Sequence, residues 1–171
     1  MAPRPEVQHS ALGFGPVLDL LEEFRALVQA FETGGVEFAV CGGLAVAIHA
    51  RPRATLDVDL LLPVDQLDGA KQIAGALGYR IDAGLLVVRK GVVEIHRLSK
   101  PDPETGDLLS LDLLVVTPAL SSVWETRERV AWEHGTLPVV SRTGLVAMKR
   151  LRESGQDLDD IRALEEDHET D

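Results

Sequence analysis

Between residues 36 and 62 the chain reads as an apolar strand, a glycine pair, a short helix and a second apolar strand that carries two aspartates one residue apart, Asp57 and Asp59. Successive strand side chains point to opposite faces, so the two carboxylates share one face while Leu56, Val58, Leu60 and Leu62 take the other. The apolar face asks to be packed. The acidic face is costly unless a cation neutralises it, and a divalent metal with oxygen ligands is the usual compensation, most often magnesium held together with substrate phosphates. The stretch therefore reads as built for a magnesium–nucleotide complex.

The 171 residues are 45% hydrophobic and 26% charged, which fits one globular unit with a real core rather than a disordered chain. Residues 1–16 carry Pro3, Pro5, Gly13, Gly15 and Pro16 without periodicity and read as a loose N-terminal arm. Residues 17–171 read as a single domain, with a core over 17–120 and a mainly helical C-terminal part over 121–171. The single cysteine, Cys41, excludes a disulfide framework and fits a reducing cytoplasm. The uncharged run 38–50 is too short to span a bilayer and no export signal pattern opens the chain, so neither membrane nor export is expected. A net charge of −11 opposes non-specific nucleic-acid binding. The imbalance is local, however, since Arg80, Arg89, Lys90, His96, Arg97 and Lys100 cluster over a hairpin region, as a guide for RNA or as a solvated basic face.

Helical spacing predicts a first helix from residue 17 to Gly34–Gly35, then a strand at 36–41, a short helix at 43–50 and a strand at 56–62 closed by Pro63. A helix over 64–77 follows, then a hairpin of strands 85–88 and 92–98 about Lys90–Gly91, a loop over 99–107 and an apolar strand at 108–116 interrupted by Asp112. A helical turn after Pro118, short strands at 130–132 and 137–140, a helix capped by Ser141 and running to Glu153, and a last helix from Asp157 complete the chain. This order predicts an α/β (α+β) class, a small mixed β-sheet with packed helices.

Three features carry chemistry. Gly42–Gly43 lies at a strand-to-helix turn, where missing side chains let backbone N–H groups approach a phosphate. Asp112 alternates with Leu111 and Leu113, so if its strand neighbours 56–62 three carboxylates meet, enough for a two-metal clamp, and Asp112 could accept the attacking hydroxyl's proton. Lys149 stands beside the apolar positions Leu145, Val146 and Met148, able to reach a phosphate, while Asp157 and Asp160 either orient Lys149 or Arg53 or favour a helix start. His49 reads as structural, and Arg53 as a phosphate contact or a tie for the acids. None of the histidines has a partner at zinc-ligand spacing, so zinc is not expected.

Gly42, Gly43, Ala45, His49, Arg53, Thr55, Asp57 and Asp59 together form a pattern that resembles the minimal nucleotidyltransferases of the polymerase-beta superfamily, most of all the AbiEii-like and MenT-like toxin proteins. The similarity extends through Asp112, Val123–Trp124, Arg127 and the Lys149-to-Asp160 spacing, roughly residues 17–165. It implies transfer of NMP from an NTP, with one or two Mg2+ ions, to a hydroxyl: of tRNA in the toxin members, which would bring an antitoxin protein as partner, or of an antibiotic or protein in other relatives. A catalytically silent, antitoxin-like binding protein is the alternative from a different class. On the resemblance, Gly42 and Gly43 hold triphosphate, Asp57 and Asp59 hold metal, Asp112 is the third acid, and Lys149 contacts the nucleotide, with Arg53, Thr55 and Asp157 beside it. Two positions depart from the pattern: Ala50 replaces a frequent glycine, and Gln156 stands where a lysine is common.

Overall fold

The computed structural model describes residues 18–52, 54–89, 91–133, 135–152 and 155–166, with only the backbone at 155 and 156. The N-terminal arm, Arg53, Lys90, Glu153 and the side chain of Gln156 lie outside the described residues. Helix α1 (Leu20–Thr33) starts where the Asp19 carboxylate accepts from the N–H groups of Leu21 and Glu22, buries Phe24, Leu27, Val28 and Phe31, and stops at Gly34. Then come β1 (Ala39–Cys41), α2 (Gly42–His49), β2 (Asp57–Leu62), α3 (Leu67–Ala76), β3 (Ile81–Val88), β4 (Val93–Pro101) and β5 (Leu108–Val115). The chain continues through α4 (Ser121–Glu125), β6 (Glu128–Trp132), β7 (Gly135–Val139), α5 (Arg142–Arg152) and α6 (Gly155–Glu166).

All seven strands join one sheet in the order β3-β4-β5-β2-β1-β7-β6. The β2–β5 and β1–β7 pairs are parallel and the others antiparallel, so the sheet is mixed, as the element order predicted. Helices α2, α5 and α6 pack on one another, and α1 packs on α3. Ser141 caps α5 as expected, its hydroxyl accepting from the Gly144 N–H at 3.0 Å. Among the described residues no helix is long and apolar enough to cross a membrane.

Three local expectations need correction. Strand β1 is only Ala39–Cys41, because the Glu37 N–H donates to the Gln66 side chain and the Val36 N–H to the Phe31 carbonyl instead of to a ladder. Leu56 does not pack with Val58, Leu60 and Leu62, which are fully buried; it precedes the strand and is 82% exposed. Strand β4 runs on to Pro101, which pairs with Leu108, so the loop shrinks to 102–107. The Asp102 carboxylate closes that loop by accepting from the N–H groups of Glu104, Thr105 and Leu18.

Tyr79 is buried between helices and sheet; its hydroxyl donates to Glu23, which also accepts from Lys100 at 2.8 and 3.0 Å. Burial and the Glu23 charge push the phenol well above its usual pKa, so it stays a donor. Tyr79→Phe keeps the packing and the ion pair but removes one hydrogen bond; chemical denaturation should show a loss of about 1 kcal/mol.

Candidate active site

The parallel pairing of β2 with β5 sets Asp57 opposite Ser110 and Asp59 opposite Asp112, so the strand carrying the third acid does neighbour the first two. The same row continues outward: Cys41 faces Asp59 on one side, and Arg97 faces Asp112 on the other. Above this row is a cleft of about 500 Å³. Asp57, Asp59 and Asp112 line it together with Gly42 and Gly43; Thr55, Lys149 and Asp157 complete the wall. The structure thus brings to one cleft every predicted site residue that it describes.

Gly42 explains the close approach of turn and acids. Its φ of +62° lies in the left-handed region, and a Cβ there would meet the Asp59 carboxylate oxygen at 2.1 Å. Cys41 at the N-cap makes no side-chain capping bond, and Gly42 and Gly43 at the start of α2 line the cleft, where an anion can satisfy the first N–H groups. The departure at Ala50 is harmless, because its φ of −126° asks for no glycine. A His49 ring N–H donates to the Val140 carbonyl at 2.8 Å, and Arg142 donates to the carbonyls of His49 and Leu164. These bonds tie α2 to the C-terminal helices, the structural role expected for His49.

The acids are not equivalent. Asp59 is pushed up to about 7, first by burial, then by the Asp112 charge, with Arg152 opposing. Asp57 is also raised, by burial and then Asp112. No hydrogen bond or ion pair among the described residues engages either carboxylate. Asp112, by contrast, accepts two bonds from Arg97, Nε to Oδ1 at 2.7 Å and Nη2 to Oδ2 at 2.8 Å. Lys149 is buried and donates to Asp160 at 2.7 Å and Asp157 at 3.4 Å, so both acids orient the lysine. The Thr55 hydroxyl donates to the Asp57 carbonyl at 3.3 Å. The Cys41 thiol, in register with Asp59, is fully buried and held well above its usual pKa by burial and by Asp59, which makes it inert packing.

Two cleft residues escaped the sequence reading. Arg97 was visible only as part of a basic strip, and that strip does not exist as one surface: strand alternation sends Arg97 to the acidic face and His96 and Lys100 to the other. Arg152 lines the cleft one helical turn beyond Lys149, a spacing that could have revealed it. Trp124 and Arg127 line a different cleft, where the guanidinium stacks 3.7 Å from the indole centroid.

A divalent cation suits the chemistry of Asp57 and Asp59, which are partly desolvated, unpaired among the described residues and raised in pKa by burial and then by the Asp112 charge. Asp112 does not join them as it stands. Among the described residues, no three His, Cys, Asp or Glu side chains are gathered closely enough to hold a metal.

The sequence matches no protein-family model and no curated protein. The fold does have solved counterparts. A Thermotoga maritima protein assigned provisionally as a nucleotidyltransferase aligns at 12% identity with a TM-score of 0.53, over 78% of this chain and 86% of that one. The antibiotic-resistance factor ANT(2'')-Ia aligns in its solution structure at 13% identity and TM-score 0.54, over 84% and 81% of the two chains. In its crystal complex with adenylyl-2''-tobramycin it aligns at 12% identity and TM-score 0.56, over 84% and 86%. The chain therefore has a nucleotidyltransferase fold; these likenesses carry the fold and not the toxin subgroup.

Proposed function

We propose that the chain is a magnesium-dependent nucleotidyltransferase that moves NMP from an NTP to an acceptor hydroxyl and releases pyrophosphate. One observation supports this above the rest: Asp57 and Asp59, whose carboxylates no described residue pairs, share a cleft with Gly42 and Gly43 at the start of α2, so a cation and a polyphosphate can be held side by side. Backbone N–H groups at Gly42–Gly43 hold the triphosphate, and Lys149 and Arg152 add positive charge from α5. Asp57 and Asp59 would hold magnesium, which supplies charge neutralisation on the phosphoryl oxygens. The acceptor oxygen forms a bond to the α-phosphorus, the bond to pyrophosphate breaks, and the hydroxyl proton leaves to a carboxylate. Asp112 is the third acid of this reading, Thr55 and Asp157 border the nucleotide, and Arg53 belongs to the same segment.

For the acceptor, the toxin resemblance implies a tRNA end, with an antitoxin as protein partner. A small-molecule hydroxyl is the second reading, and the rim of the cleft favours it. Leu56, together with Leu108 at 57% exposed, borders a further cleft of about 380 Å³ that shares Thr55 and Leu56 with the acidic one. Such an apolar shelf suits a compact acceptor better than a polyanion. A silent binding protein has no use for partly desolvated carboxylates gathered in one cleft.

The test is label transfer. Purified protein, Mg2+ and each of four α-labelled NTPs are offered total RNA, cell extract or its small-molecule fraction, and one acceptor should take up label in a chelator-sensitive reaction. Absence of label from every fraction with every NTP would sink the reading.

A further inference from the structure

We infer that Arg97 is a built-in counter-cation that withholds Asp112 from metal, so that the resting cleft takes one divalent cation at Asp57 and Asp59 and a second only when the Arg97–Asp112 pair opens. The inference rests on the nucleotidyltransferase reading and specifies how its site is controlled. Its basis is the ladder. Arg97 lies directly opposite Asp112 across β4–β5, and Asp112 directly opposite Asp59 across β2–β5, so backbone pairing itself delivers the guanidinium to the acid. Both Asp112 oxygens are committed, at 2.7 and 2.8 Å, in the bidentate geometry that makes such pairs strong.

A cation that takes Asp112 must displace Arg97, which holds both of its carboxylate oxygens. The side chain of Arg97 is 38% exposed, whereas that of Lys149 is 8% exposed and bonded to two acids. On its other flank, Arg97 faces the irregularity of β3 between Asp82 and Leu85, where no residue of β3 is in register with it. The pair is thus closed over an acid that is 7% exposed but has an open side toward water.

The inference is tested by Mn2+ binding to the full chain without nucleotide, using calorimetry and electron paramagnetic resonance. Wild type should bind one Mn2+. Arg97→Gln should add a second equivalent or tighten binding about tenfold, Arg97→Lys should fall between, and adding Asp112→Asn to Arg97→Gln should restore the single wild-type site. Circular dichroism melts accompany each variant, and Arg97→Lys carries the test if Arg97→Gln does not fold. A wild type that binds two ions and loses one with Asp112→Asn, or Arg97 variants that titrate like wild type, would overturn the inference while leaving the nucleotidyltransferase reading, tested by wild-type label transfer, in place. A wild type that neither binds Mn2+ nor transfers label would overturn the underlying reading as well.

Discussion

Asp59→Asn is expected to stabilise the protein at neutral and alkaline pH in a chelator while abolishing transfer. The carboxyl is held at about 7 by burial and by Asp112, against about 4 in an unfolded chain. The folded state therefore binds this proton more tightly than the unfolded state does. Its contribution to stability is fully present below about pH 4 and is lost as pH rises through 7, where a charged carboxylate must stand in a poorly solvated place. Three pKa units set an upper bound of about 4 kcal/mol, and roughly half of that is a reasonable expectation for asparagine at pH 8. The comparison of denaturation curves at pH 4 and pH 8 should show the gain only at the higher pH. Mg2+ should stabilise wild type and leave the variant unmoved. Transfer should fall by two to three orders of magnitude or more, the scale of losing an electrostatic element of a transition state. A variant that keeps its activity, or is less stable than wild type at pH 8, contradicts the role given to Asp59.

Gly42→Ala should also remove activity, but with a stability change of the opposite sign. The methyl group would approach the Asp59 oxygen to 2.1 Å, in a backbone conformation, φ +62°, that alanine rarely adopts. The backbone term alone is about 1–3 kcal/mol, and Asp59 or the turn must also shift. Gly75 in α3 is the control: a Cβ there meets nothing within 4 Å, and Gly75→Ala should gain up to about 1 kcal/mol. If Gly42→Ala melts like wild type and still transfers label, the close approach of turn and acid is not what organises this site. Together, Asp59→Asn and Gly42→Ala separate loss of a charge from loss of a geometry.

Much of the cleft was legible because it is local. Asp57 and Asp59 share a face by the two-residue period of a strand, Gly42 stands where a strand turns into a helix, and Lys149 follows the apolar stripe of its own helix. Arg97 was not legible. Its partner depends on where the β4–β5 turn begins, and a loop drawn over 99–107 rather than 102–107 changes the register that sets Arg97 against Asp112. Leu56 misled for a similar reason: alternation assigns it a face, but only the strand's actual start at Asp57 decides whether that face is covered. The basic strip dissolved because neighbours in sequence along β4 point to opposite sides of the sheet.

From its sequence alone the chain determined a mixed α/β architecture, a glycine turn and a pair of acids on one strand face, since all three follow from short-range periodicity and backbone freedom. Tertiary structure decided which charges meet. Strand order and register are non-local, and only when β5 comes between β2 and β4 does Asp112 find itself flanked by Asp59 and Arg97, with the arginine holding both of its oxygens.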